Sequence, residues 1–146
     1  MTTISVAQFC NHAVSAGTIS ADDLIVLKRE VIPDGIASRE EADLLIALER
    51  AVIGSDAFAE FLIASVVDYA VWVERATGYI DRDAAAWLQA SLSGRTGPSP
   101  VGARIAMEIV REAQGSAESL TAFALEANRW IREVPAKDRV TFALAA

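Results

Sequence analysis

Phe61-Leu62-Ile63-Ala64-Ser65-Val66-Val67-Asp68-Tyr69-Ala70-Val71-Trp72-Val73 is the most apolar stretch of the chain, and its reading decides the fold. A membrane span needs about 20 consecutive apolar residues. This run has 13 and carries an aspartate near its middle. It therefore reads as the core of a central helix. Phe58, Phe61, Leu62, Val66, Tyr69 and Val73 recur at three- and four-residue spacing and form its strongest stripe. Apolar residues also fall on its other faces, as in a helix packed on several sides. Gly54 precedes it, and Ser55 or Asp56 opens it, so the spacing predicts a helix over about 56–76.

The same periodicity continues outward in both directions. It predicts helices over about 4–15, 21–32 and 39–53 before the central one, and over 82–92, 100–113 and 117–133 after it. Gly17, Pro33-Asp34-Gly35, Gly54, Gly115 and Pro135 punctuate them. Pro100 stands at a tolerated first-turn position behind Ser99. Strict apolar alternation is missing, so no strand of useful length is expected. The fold class is all-α, a compact bundle of about seven helices in one domain over residues 1–146. Ser93-Gly94-Arg95-Thr96-Gly97-Pro98-Ser99-Pro100 is the one clear loop. It divides an acidic part, 1–95, from charge-balanced C-terminal helices, 99–146. The tail from Val140 to Ala146 is apolar enough to dock on the body.

A chain of 146 residues, 53% hydrophobic and 23% charged, can bury a core without disulfides and is not of disordered composition. The net charge of −7 resides in residues 1–100, which carry 14 acids and 7 bases; residues 101–146 carry 6 of each. Phosphate-backbone binding wants clustered lysine and arginine, so no nucleic acid is expected as a partner. An acidic face suits a cation, a basic partner or plain solubility. The lone cysteine, Cys10, has no second thiol and reads as a small buried hydrophobe. Met1-Thr2-Thr3-Ile4-Ser5 lacks a charged start followed by an apolar stretch, so a cytoplasmic location is expected.

One turn recurs. Gly17-Thr18-Ile19-Ser20, Gly35-Ile36-Ala37-Ser38 and Gly78-Tyr79-Ile80-Asp81 each place a capping residue three positions after a glycine. An acid follows two or three places later. Glycine closes one helix in the left-handed conformation, and the cap with its acid opens the next. Helix-to-helix chemistry explains this pattern without any function.

Pro33-Asp34-Gly35-Ile36-Ala37-Ser38-Arg39-Glu40-Glu41-Ala42, between apolar helices in a chain of this length, also resembles the TerB-like (tellurite-resistance) family. Gly78-Tyr79-Ile80-Asp81 is similar to that fold's second turn, although Thr77-Gly78 replaces Asp-Gly. The resemblance implies an all-helical fold and a divalent cation, such as calcium, held by acidic residues, here Asp34 with Glu40 or Glu41. An EF-hand is excluded. With Gly35 at loop position six, Ile32 and Pro33 occupy early positions where oxygen ligands are needed.

Asp68 interrupts the central helix. A buried carboxylate must be paired, metal-bound or neutral. One reading has it facing outward or pairing with Arg50, Arg75 or Arg104. The other makes it a ligand in an inter-helix site with Asp34, Glu41 or Glu49, as in helix-bundle metal centres. His12 is the only histidine, and no Glu-x-x-His pair exists. Catalytic fingerprints are absent, and Gly94-Arg95-Thr96-Gly97 is no phosphate cradle. Trp72, Trp87 and Trp130 read as core or interface anchors.

The expected function is a non-enzymatic helical module of the TerB-like type. It acts through acidic contacts, with a divalent cation at Asp34, Glu40, Glu41, Glu49 and Asp68, in a stress-response or signalling assembly. The alternative is an interaction scaffold or homodimer without a ligand.

Overall fold

Short polar side chains open most of the helices. Ser5, Ser20, Ser38, Ser55, Asp81 and Ser99 each accept a hydrogen bond from the backbone N–H three residues on, which satisfies a donor the helix cannot use. The computed structural model describes residues 4–133. It places α1 at Val6–Ala16, α2 at Ala21–Val26, α3 at Arg39–Ala51 and α4 at Asp56–Asp68. It places α5 at Arg82–Ser93, α6 at Pro100–Glu112 and α7 at Glu118–Glu133. The chain is all-α as expected. Trp130's side chain and the tail from Val140 to Ala146 lie outside the described residues.

Two helices end in a wider coil. α2 continues through a π-helical segment, Leu27–Val31, and α4 through another, Tyr69–Val73. The second explains why the central helix stops at Val73 rather than near 76. The N–H of Glu74 bonds back to the Tyr69 carbonyl at 2.9 Å, and Glu74 itself turns extended. α4 buries Phe58, Leu62, Ile63 and Val66 and packs on both α3 and α6. It is the multiply packed core helix that its composition predicts. No described helix is long and apolar enough to cross a membrane. Cys10 is buried, with its sulfur 3.8 Å from the Leu44 carbonyl oxygen; burial pushes the thiol pKa up.

The recurring turn sorts into two equivalents and one outsider. The Gly17 and Gly78 turns, 61 residues apart, both have left-handed glycines, with φ of 79° and 87°. Each glycine carbonyl accepts a bond from a residue just past a later helix: Ile53 to Gly17 at 3.0 Å, Gln114 to Gly78 at 2.7 Å. These contacts build a parallel bridge, Thr18 with Ile53, and a parallel pair of strands, β1 (Tyr79–Ile80) and β2 (Gly115–Ser116). Both strands are two residues long, too short to show alternation in sequence.

The 61-residue offset carries Ser20 onto Asp81, Ser38 onto Ser99, the start of α2 onto that of α5, and both ends of α3 onto those of α6. Ile19, Leu24, Leu27, Val31, Ala42, Leu45 and Leu48 are buried, and so are Ile80, Ala85, Leu88, Leu92, Ala103, Ala106 and Ile109 at the same offset. The two halves thus share these element starts and buried positions at one offset. A fixed period of burial signals repeated architecture. Gly35 also has positive φ, but its N–H closes locally on Ile32 and its turn joins α2's extension to α3. Its counterpart is the 94–99 loop.

Candidate functional site

α4 and α6 face each other across a groove. Arg104, Glu108 and Glu112 follow at four-residue intervals on one face of α6, so they stand in a row. Facing them, α4 contributes Glu60, Ile63, Ala64, Val67 and Asp68, and its extension contributes Trp72. Together these nine side chains line a groove of about 420 Å³. Ile63 is buried, Val67 half-buried and Ala64 exposed, giving an apolar floor with a small residue that leaves room above it.

The two ends are closed differently. At one end Arg104 forms a two-pronged ion pair with Glu60, at 2.7 and 3.3 Å. This pair pulls the Glu60 carboxyl below its ordinary pKa and raises Arg104's. At the other end the indole N–H of Trp72 donates to Glu112 at 3.2 Å while the ring stays 40% exposed. Glu108 is tied to Arg111 at 2.8 Å. Four carboxylates and one guanidinium line the groove; with Glu60 paired to Arg104 and Glu108 to Arg111, the unpaired negative charge is that of Asp68 and Glu112.

A clamp behind the groove holds the segment that carries Trp72. Arg39, at the start of α3, donates to the Glu74 carboxylate at 2.8 and 3.2 Å and to Asp83 at 2.9 Å. The buried Tyr69 hydroxyl donates to the same Glu74 carboxylate at 2.5 Å. Arg39 also lies 4.9 Å from the centre of the Trp87 ring; that ring meets Tyr69 edge-on and donates to Asp43 at 2.8 Å. The Arg39 hydrogen bond holds the Glu74 carboxyl below the usual carboxylate range, and Arg39's own pKa is raised. Burial and then the Glu74 bond push Tyr69 up to about 12. Glu74 stands two residues after Trp72, so the clamp fixes where the extension of α4 ends.

The acidic residues singled out from sequence are dispersed. Asp34 and Glu40 are exposed. Glu41 accepts from the Ala37 N–H at 2.8 Å, one residue further back than a regular capping box. Glu49 accepts from the Ser99 hydroxyl at 2.6 Å, and so braces the cap of α6. Asp68 is exposed, as the outward-facing of its two readings has it. It does approach the Asp34-Gly35 turn: its Oδ2 is 3.9 Å from where a Cβ on Gly35 would sit. Asp34, Glu40, Glu41 and Glu49 do not line the groove. Among the described residues, no three His, Cys, Asp or Glu side chains come together as a metal group.

Asp68 forms no ion pair with the arginines considered for it. Arg104 goes to Glu60, and Arg50 packs against Gly94 and reaches the Ser91 carbonyl at 3.4 Å. Trp72 lines the groove and is not in the core, so of its two readings, core or interface anchor, the core one is set aside. Its amphipathic position had no signature in sequence, because Glu112 is 40 residues away. The Arg39–Glu74 pair was equally hidden by a separation of 35.

The ionisable side chains of the groove are Glu60, Asp68, Arg104, Glu108 and Glu112, and His12, 71% exposed, stands outside it on the surface 3.8 Å from Asp23. No protein-family model matches the chain, and no curated protein or solved structure is similar to it.

Proposed function

We propose that this protein is a non-enzymatic helical interaction module of the TerB-like kind, and that the groove between α4 and α6 is where it meets a protein partner. The observation that carries this reading is the acid-rimmed apolar groove with a half-exposed indole at one end. Long acidic side chains and an aromatic on the rim of a concave apolar floor are the chemistry of recognition surfaces. The resemblance of Pro33–Ala42 to TerB-like turns supports a place in a stress-response or signalling assembly.

A photo-crosslinking amino acid at Ala64, which is exposed in the groove, tests the reading. The expected result is a discrete protein adduct, identified by mass spectrometry and rebuilt from purified components. It should vanish in a Glu60→Lys, Glu108→Lys background. A crosslinker at Asp22, exposed on α2 and not lining the groove, should give no such adduct. Failure to form any adduct at Ala64 removes the groove as the partner site. An adduct with a second copy of the chain would make the protein a homodimer instead.

A further inference from the structure

We infer that the occupant of this groove is a helical segment of a partner protein that presents an apolar side chain next to a lysine or arginine. The apolar side chain rests on Ile63, Ala64 and Val67. The cation lies over the Trp72 ring, between Asp68 and Glu112. The inference rests on the groove being the partner site proposed above and names what that partner must carry.

Four observations lead there. First, the carboxylates are unequally engaged. Glu60 and Glu108 are neutralised by Arg104 and Arg111. Asp68 has no hydrogen-bond or ion-pair partner among the described residues, and Glu112 holds only the indole N–H. The uncompensated charge therefore sits at the Trp72 end. Second, the Glu112 bond fixes the indole plane while leaving the ring 40% exposed. A guanidinium or ammonium over such a face gains a cation–π contact in addition to the carboxylates.

Third, a volume of about 420 Å³ takes a few side chains of one element rather than the face of a domain. An amphipathic helix laid in a groove engages it through anchors at i, i+3 and i+4. Fourth, the fold itself does not require this chemistry. At the 61-residue offset, Asp68, Trp72, Glu108 and Glu112 correspond to Ala7, Asn11, Ala47 and Ala51, all exposed on α1 and α3. At that offset α1 falls on the end of α4 and its π-helical extension, and α1 packs on α3 while α4 and its extension pack on α6. The same architecture stands with small neutral residues there, so the acid and aromatic side chains serve something outside the bundle.

The test uses the full chain and three probes: a designed leucine–lysine amphipathic helix of about five turns, its leucine–glutamine analogue, and spermidine. Binding is read by isothermal titration calorimetry, and in chains that keep Trp72 also on its indole N–H resonance by NMR. The leucine–lysine helix should shift that resonance saturably and bind about tenfold or more tightly than the analogue. Asp68→Asn and Glu112→Gln should each weaken it about fivefold, and Trp72→Leu more than Trp72→Phe. Asp22→Asn, exposed at the start of α2 and not lining the groove, should leave it unchanged. Equal binding of the two helices, or indifference to Asp68→Asn and Glu112→Gln, overturns the cationic requirement. If the Ala64 adduct forms all the same, the partner site itself survives. Spermidine binding as tightly as the helix overturns the helical occupant. No shift with any probe, together with no adduct, defeats both readings.

Discussion

The two halves of this domain share a scaffold and differ in what they display. Both run from a left-handed glycine through a capped helix to a second capped helix that ends at a parallel bridge. Many of their buried positions coincide at a constant offset, although Ala13 and Ile36 are buried where Glu74 and Gly97 are only half-buried. Their outer faces do not: one carries alanines and an asparagine where the other carries three acids and a tryptophan. Burial is thus the shared requirement of the fold, and the divergent surface is where function has room to reside.

If the halves are structural equivalents, equivalent core truncations should cost alike. Leu27 and Leu88 are both 0% exposed. Leu27→Ala and Leu88→Ala should each lower stability by about 2–5 kcal/mol in urea denaturation. A large disparity would show that one half carries the fold alone.

The clamp at Glu74 should come next. Its side chain is 15% exposed, and Glu74→Gln leaves Arg39 with only the exposed Asp83 as a charged partner, at a cost of about 1–3 kcal/mol. Glu74 has a lowered pKa in the fold, so its contribution is complete above the ordinary carboxylate range. It is lost as pH falls through the lowered value. Melting temperatures of wild type and Glu74→Gln should therefore differ at neutral pH and converge in acid. Tyr69 works in the opposite sense: its contribution is complete below the ordinary tyrosine pKa and is lost as pH rises through about 12. A Glu74→Gln difference that persists unchanged into acid would contradict this assignment.

The glycine turns give a smaller effect. Gly17→Ala and Gly78→Ala both force a side chain into the left-handed region, costing about 1–2 kcal/mol. Gly78 should be the more sensitive, because its new Cβ would lie 3.4 Å from Gln114 while Gly17 has nothing within 4 Å. Thermal melts of the two variants measure the gap. Smallest of all should be calcium. With Asp34 and Glu40 exposed and Glu41 and Glu49 already bonded within the chain, millimolar calcium should shift the melting temperature by less than about 1 °C. A clear rise lost in Asp34→Ala, Glu41→Ala would restore the cation site.

The helices were legible because three- and four-residue apolar spacing and serine caps are local signals. Ser38, Ser55, Asp81 and Ser99 act as the sequence indicates. The recurring glycine turn was legible too, but its partner was not. Whether Gly17 or Gly35 receives a bridge depends on residues such as Ile53, far along the chain. Asp68 was conspicuous for interrupting an apolar run, yet a charge on a helix packed on several sides can still meet solvent. Its groove companions Glu108 and Glu112 lie 40 or more residues on and look like ordinary surface acids. The π-helical extension that delivers Trp72 and Glu74 has no periodic signature of its own.

The most direct test gives the second half the surface of the first. Asp68→Ala, Trp72→Asn, Glu108→Ala and Glu112→Ala place on α4 and α6 the residues found at Ala7, Asn11, Ala47 and Ala51. Titrating this combined variant with the leucine–lysine helix should show binding reduced at least about tenfold, with helical content retained. Undiminished binding by the folded variant would contradict the account.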